Sequence, residues 1–253
     1  MSSDRPPEAV AGDTTATAGH PPRSAVRARS IEAAAAAGIC YSLLTVLAMT
    51  RMSAYPSLDA TETELTAWFD DDANRILLVG ALSLASVSAI AFLWFVAVIR
   101  RRLGEREDRF FATVFFGSGI TYVAVWLVGS AVLAAPAIAM TTLNAAEVTP
   151  ASASLAGGIA AALLLVVAPR VEAVFIFTTS TVILRSSVLP SWLAYVGYVA
   201  GLVMFVAPLI WVPLGYAFPA WVFVVSIVLL VVRPSSLDTA AGNQPITSEA
   251  AGK

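Results

Sequence analysis

The chain has 253 residues, 58% hydrophobic and 13% charged, with a net charge of -2 and a mean hydropathy of +0.80. A soluble domain carries about 25% charged and roughly 45–50% apolar residues, so this chain lacks the polar groups to coat itself in water, and lipid is its expected solvent. The charge balance excludes nucleic acid as an expected partner. One cysteine, Cys40, excludes an internal disulfide and a cysteine metal cluster, and the one histidine, His20, leaves no ligand set for haem or zinc.

Residues 1–30 contain Pro6, Pro7, Gly12, Gly19, Pro21 and Pro22 without an apolar period, which predicts a disordered tail. It ends in Arg23, Arg27 and Arg29. A cleavable leader ending near Met52 is the alternative reading. The first apolar stretch is Ile31–Thr50. The second, Ile76–Ile99, lies between Arg75 and the run Arg100, Arg101, Arg102. The third, Phe110–Ala135, stops at Pro136. Each suits a membrane span, which takes about 20 residues.

The fourth apolar region, Leu155–Leu184, is interrupted by Pro169, Arg170 and Glu172. It is too long for one upright span and too short for two. The span is placed at Ala162–Leu184, with Leu155–Ala161 as a tilted extension or a surface helix. Pro169 is expected to kink it. The fifth span is Trp192–Val212, with Pro208 and Pro213 bending its far end; the sixth covers about 216–232, Pro219 suiting an early helical position. Residues 234–253 again predict a disordered tail. The expected fold is therefore an all-α six-helix transmembrane bundle over 31–233 with disordered ends.

Charge predicts orientation, because cytoplasmic segments hold the excess of Arg and Lys. Placing the N terminus inside puts Arg5, Arg23, Arg27, Arg29, Arg100, Arg101, Arg102, Arg106, Arg109, Arg185, Arg233 and Lys253 inside, 12 of the 15 basic residues. Only Arg51 and Arg75 fall outside, and the acidic 59–72 stretch falls with them. Both termini are then cytoplasmic, in a plasma membrane protein. The loop Arg100–Arg109 suits attraction to anionic lipid, or docking of a cytoplasmic protein.

In the first outer loop, Thr61 and Glu64 have capping-box spacing. Leu65, Trp68 and Phe69 follow at helical spacing, so a short helix on the outer surface is expected. Asp70, Asp71 and Asp72 precede the second span, where acids favour a helix N-terminus; the order of a calcium loop is missing, and no metal is assigned.

Arg170 and Glu172 form the sharpest candidate. Ionisable groups at membrane depth cost about 2.5–3.5 kcal/mol each on insertion scales. Two residues apart, they point about 200° from one another on a helix. Glu172 lies about 18 Å and Arg170 about 21 Å from the inner end of the span at Leu184, both in the outer part of the bilayer. Arg75 is the expected partner of Glu172, and the Asp70–Asp72 cluster that of Arg170. Such a set makes either an ionic network that locks helices or an outward-facing polar cavity for a small or headgroup-like ligand. Thr178, Thr179, Ser180 and Thr181 follow as helix glue. Gly197 and Gly201 form a G-x-x-x-G, expected to pack within the bundle. No histidine or lysine lies in the spans to serve as a base, so no catalytic residue and no cofactor are assigned.

Several short patterns run through residues 31–233: Asn74-Arg75, Phe92-Leu93-Trp94-Phe95 leading to Arg100-Arg101-Arg102-Leu103, Glu172-Ala173-Val174-Phe175, Leu184-Arg185, Val188-Leu189-Pro190 before Trp192-Leu193-Ala194, and Phe218-Pro219-Ala220-Trp221. With these the chain resembles uncharacterised six-span integral membrane proteins of actinobacteria, of the domain-of-unknown-function type. The resemblance implies a compact six-helix bundle in the plasma membrane and no particular activity. The expected role is non-enzymatic: accessory, sensory or scaffolding. A small-solute or lipid-headgroup transporter using Arg170 and Glu172, and a membrane enzyme acting on lipid, are the alternatives. Expected partners are membrane lipids, with a membrane-protein partner or a second copy left open.

Overall fold

The structure is a computed structural model that describes residues 23–103, 109–142, 148–186, 189–206 and 212–231. These residues are helical or in short connections, with no strand among them. Eight α-helical segments occur in chain order: α1 Arg23–Met52, α2 Glu62–Asp70, α3 Asp72–Leu103, α4 Arg109–Thr141, α5 Pro150–Ala161, α6 Ala168–Ser186, α7 Ser191–Val206 and α8 Ala217–Val231. Among the described residues five stretches are long and apolar enough to cross a membrane: Glu32–Met52, Asp72–Arg100, Phe110–Thr141, Pro150–Arg185 and Leu214–Val231. That is the pattern of a multi-pass membrane protein.

The bounds differ from the sequence expectation in physically instructive places. Residues 1–22 of the first expected tail, and the whole of the second, lie outside the described residues. Residues 23–30 are helical, because Arg and Ala are among the best helix formers. α4 runs through Pro136 to Thr141; membrane helices tolerate a proline where neighbours satisfy the freed backbone groups. Ser191–Val206 is an apolar helix of only 16 residues, about 24 Å long. Residues 207–211 of the expected fifth span, Pro208 among them, lie outside the described residues.

The fourth apolar region is one continuous helical rod. α5 passes into α6 through a π-helical turn, Ala162–Val167, whose end is marked by the Ala168 N–H donating to Leu163 O. Pro169 supplies the reason. Its ring has no N–H and crowds the carbonyl one turn earlier, and a wider turn gives that carbonyl room. At 36 residues the rod is about 54 Å long, against a hydrocarbon layer of about 30 Å. Its α5 part therefore stands beyond the membrane-crossing part, and it packs against α2 and α4.

The long helices and the shorter α7 form a ring in the order α8, α1, α3, α4, α6, α7. Leu43, Ile90, Trp94, Val199 and Val231 are exposed on its outside, as lipid-facing side chains should be. At one end Arg100 lies over the Phe116 ring at 4.4 Å and Arg185 over Phe111 at 4.3 Å, with Trp192 and Tyr195 exposed nearby in sequence. Arginine and amphipathic aromatics together mark a membrane boundary. At the other end α2 caps the bundle.

α7 fits into the ring through its glycines. A Cβ at Gly197 would lie 2.6 Å from Trp221 of α8, and one at Gly201 would lie 2.8 Å from Phe177 of α6. Both distances are below contact, so any larger residue would push α7 away from both neighbours.

Candidate functional site

Five rings from five helices close the waist of the bundle: Tyr41 of α1, Phe92 of α3, Tyr122 of α4, Phe175 of α6 and Phe218 of α8. Phe92 is the hub, with ring centroids 4.8 Å from Tyr41, 5.1 Å from Tyr122, 5.2 Å from Phe175 and 5.7 Å from Phe218. The two phenols meet in a 2.6 Å hydrogen bond. Tilted and edge-on contacts at these separations are favourable beyond the area they bury.

Glu172 sits beside this cluster, one turn from Phe175 on α6. Only 6% of it is exposed. Its Oε2 is buried with no hydrogen-bond partner. The carboxyl is within electrostatic range of both Tyr41 and Tyr122. Glu172 lies 13 residues from Arg185, about 20 Å along the helix and so past the midplane of a hydrocarbon layer about 30 Å thick, but still inside it. A carboxylate there without a countercharge is strongly disfavoured.

Arg170 takes the opposite side of the same helix. It is exposed, and its Nη1 donates to Val166 O at 2.5 Å. The expected pairing of Arg75 with Glu172, and of Arg170 with the aspartates, does not form. Arg75 instead pairs with Asp72 and donates to Phe69 O. Its Nε is buried without a partner. Distance along the helices explains this: Arg75 lies 17 residues from Phe92 on α3, about 25 Å from the waist.

The aspartates serve the backbone. Asp71 Oδ1 accepts from the Ala73 N–H at 2.9 Å, capping the start of α3. Among the described residues no three His, Cys, Asp or Glu side chains converge as a metal site. Thr61 and Glu64 form the reciprocal capping box, with the Thr61 N–H donating to Glu64 at 2.8 Å and the Glu64 N–H to Thr61 Oγ1 at 3.3 Å. The Thr61 N–H and, at 2.9 Å, the Thr61 hydroxyl both donate to the Glu64 carboxyl and hold it below its ordinary value. α2 is more than a surface float. Leu65 and Phe69 are buried, and Tyr55 binds the cap to α5 through a 2.7 Å bond to Ala153 O. Partial burial pushes the Tyr55 phenol up to about 12.

Of the hydroxyl run on α6, Thr181 ties two helices, Thr178 and Thr179 bond their own helix, and Ser180 Oγ is buried without a partner. Thr178 donates to Val174 O, and Thr179 to Phe175 O at 2.7 Å. Thr181 bonds Phe177 O at 2.9 Å and meets Tyr198 of α7 at 2.7 Å. Tyr41 and Tyr122 were absent from the sequence candidates. Their signal was present, since a tyrosine deep in an apolar run needs a partner for its hydroxyl. Comparison with family models, curated proteins and solved structures finds no match.

Proposed function

We propose that this chain is a non-enzymatic six-span protein of the plasma membrane, with both termini cytoplasmic, serving as an accessory or scaffolding element. The sixth crossing in this reading is Ser191–Val206, short but apolar along its length, and the positive-inside bias sets the direction. One observation carries the functional part: Arg170 and Glu172 diverge to opposite sides of α6, and rings fill the space that a polar cavity would need. A solute pathway needs polar groups around water, and an enzyme needs two of them converging on one atom. Neither arrangement is favoured by a waist packed on Phe92.

Water access at the waist tests this. In a Cys40→Ala background, Phe218→Cys is exposed to a small membrane-impermeant thiol reagent in proteoliposomes. The thiol stays unreactive at every pH at which the protein remains folded. Reaction from either side would sink the scaffold reading.

The partnerless Oε2 of Glu172 favours a second reading, a sensor or proton-coupled transporter that opens at the waist when this carboxyl ionises. The other titratable groups facing it are Tyr41 of α1 and Tyr122 of α4. Here the same thiol reacts in a pH-dependent way, and Glu172→Gln removes that dependence. Glu172→Leu separates the two readings by stability as well: replacing a buried unpaired acid with an apolar side chain is neutral or stabilising.

A further inference from the structure

A shallow groove of about 400 Å³ runs along the outside of the bundle between α4 and α6, closed at one side by Phe205 of α7. Val114, Gly117, Thr121 and Val174 line it, and Arg170 stands at one end. Its few polar atoms are already satisfied: Ser118 donates to Phe115 O at 3.1 Å and Thr121 to Gly117 O at 2.9 Å. Gly117 deepens the floor, since a Cβ there would meet nothing within 4 Å. The trough thus offers an apolar surface and asks for no hydrogen bond along its length.

Arg170 asks for something else. A guanidinium carries five N–H donors, and here one goes to Val166 O. No carboxylate pairs with it among the described residues. Arg170 lies 15 residues from Arg185, about 22 Å along the helix. Its side chain turns back toward Val166, away from the Arg185 end. A snorkelling arginine gains several more ångströms this way, which brings the charge to the opposite face of a hydrocarbon layer about 30 Å thick. The groove then descends from the charge toward the arginine-rich end, alongside Val174 and Val114.

A cation at headgroup level above an apolar trough has the shape and polarity of one kind of molecule. We propose that Arg170 and the α4–α6 groove form a binding site for a phospholipid with a net negative headgroup, in the leaflet opposite the Arg100 and Arg185 boundary. The guanidinium takes the phosphate oxygens in charge-assisted hydrogen bonds, and one acyl chain lies over Gly117. Charge complementarity selects an anionic headgroup, because a zwitterionic one brings an ammonium beside an arginine that no acid among the described residues balances. The site does not depend on whether the waist opens.

Native mass spectrometry of the full chain, loaded with phosphatidylglycerol or phosphatidylcholine of identical acyl chains, tests the site. Wild type retains the anionic lipid roughly tenfold more strongly, equivalent to about 1.4 kcal/mol. Arg170→Gln loses that preference, and Arg170→Lys keeps part of it. Gly117→Leu, which fills open space and improves helix propensity, weakens both lipids alike while the protein stays folded. Soluble glycerol phosphate competes poorly. Equal retention of the two lipids by wild type overturns the proposal, as does an Arg170→Gln variant that keeps the preference. An unchanged Gly117→Leu removes the groove from it, and full competition by glycerol phosphate makes the ligand a free anion rather than a lipid.

Discussion

At the waist, five helices each contribute a ring around Phe92, and the acid beside them has an oxygen without a donor. At the capped end most polar groups find partners: Tyr55 with Ala153 O, Asn74 with Trp68 O at 3.1 Å, Arg75 with Phe69 O and Asp72, and Thr61 with Glu64, while the Arg75 Nε is buried without one. Water explains the contrast. At a membrane surface an unmatched group can turn to solvent, so hydrogen bonds there mainly select one geometry. In the hydrocarbon interior no such exchange exists, and shape has to define the packing. Ser180 Oγ and Trp221 Nε1 are unmatched there too, but an ionisable acid at that depth is the costliest of the three.

The largest expected effect breaks the waist. Phe92→Ala removes the hub shared by four other rings and leaves a cavity that backbone collapse cannot fill. A loss of about 3–5 kcal/mol is expected, read as the unfolding free energy in mixed detergent micelles. A loss under about 1 kcal/mol would mean that the rings are neighbours rather than a core.

Arg75→Met breaks the capped end instead. It strips the donor from the Phe69 carbonyl and the partner from Asp72. Leaving such a group unsatisfied costs about 1–3 kcal/mol, and the loss should stay local. Amide exchange should accelerate in α2 and the first turn of α3, with α6 amides around Phe175 unchanged. Equal acceleration at both places would show that cap and waist are one cooperative unit.

Tyr122→Phe sharpens the comparison within the waist. It deletes the 2.6 Å bond to Tyr41 while keeping the ring. Side-chain hydrogen bonds inside membrane bundles average about 0.6 kcal/mol, so the loss should be a small fraction of the Phe92→Ala effect. A loss as large as that of Phe92→Ala would make the phenol pair, not ring packing, the main tie across the bundle.

The same contrast decides what could be read from the chain. The spans were legible because apolar length is a local property, and the Thr61–Glu64 capping box because its partners are three residues apart. Glu172 was legible as an expensive residue. Its surroundings were not: Tyr41 and Tyr122 are 81 positions apart, and no local spacing brings them to α6. The Arg75–Glu172 pairing failed for that reason, since it matched charges without knowing how far along each helix the charges lay. Pro136 and Pro169 show the limit at finer scale. Both are helix breakers by propensity, yet one sits inside α4 and the other follows a π turn.

The smallest effect belongs to the motif read most directly. Thr61→Ala removes one half of the capping box, and roughly threefold faster amide exchange in α2 is expected, with waist amides unchanged. The box also predicts a pH dependence with a definite sign. Bonds from the Thr61 N–H and hydroxyl hold the Glu64 carboxyl below its ordinary range. Its contribution is therefore present above the pH at which a free glutamate ionises, and is lost as pH falls through the lower value of the folded state. Exchange in α2, corrected for its intrinsic pH dependence, should rise on acidification in wild type and stay flat in Glu64→Ala. Because the box is local and solvent-facing, neither substitution should alter thiol access at Phe218→Cys. If Thr61→Ala did open the waist to the thiol reagent, the capped end would be a lid coupled to the bundle interior, and the separation between the two regions would fail.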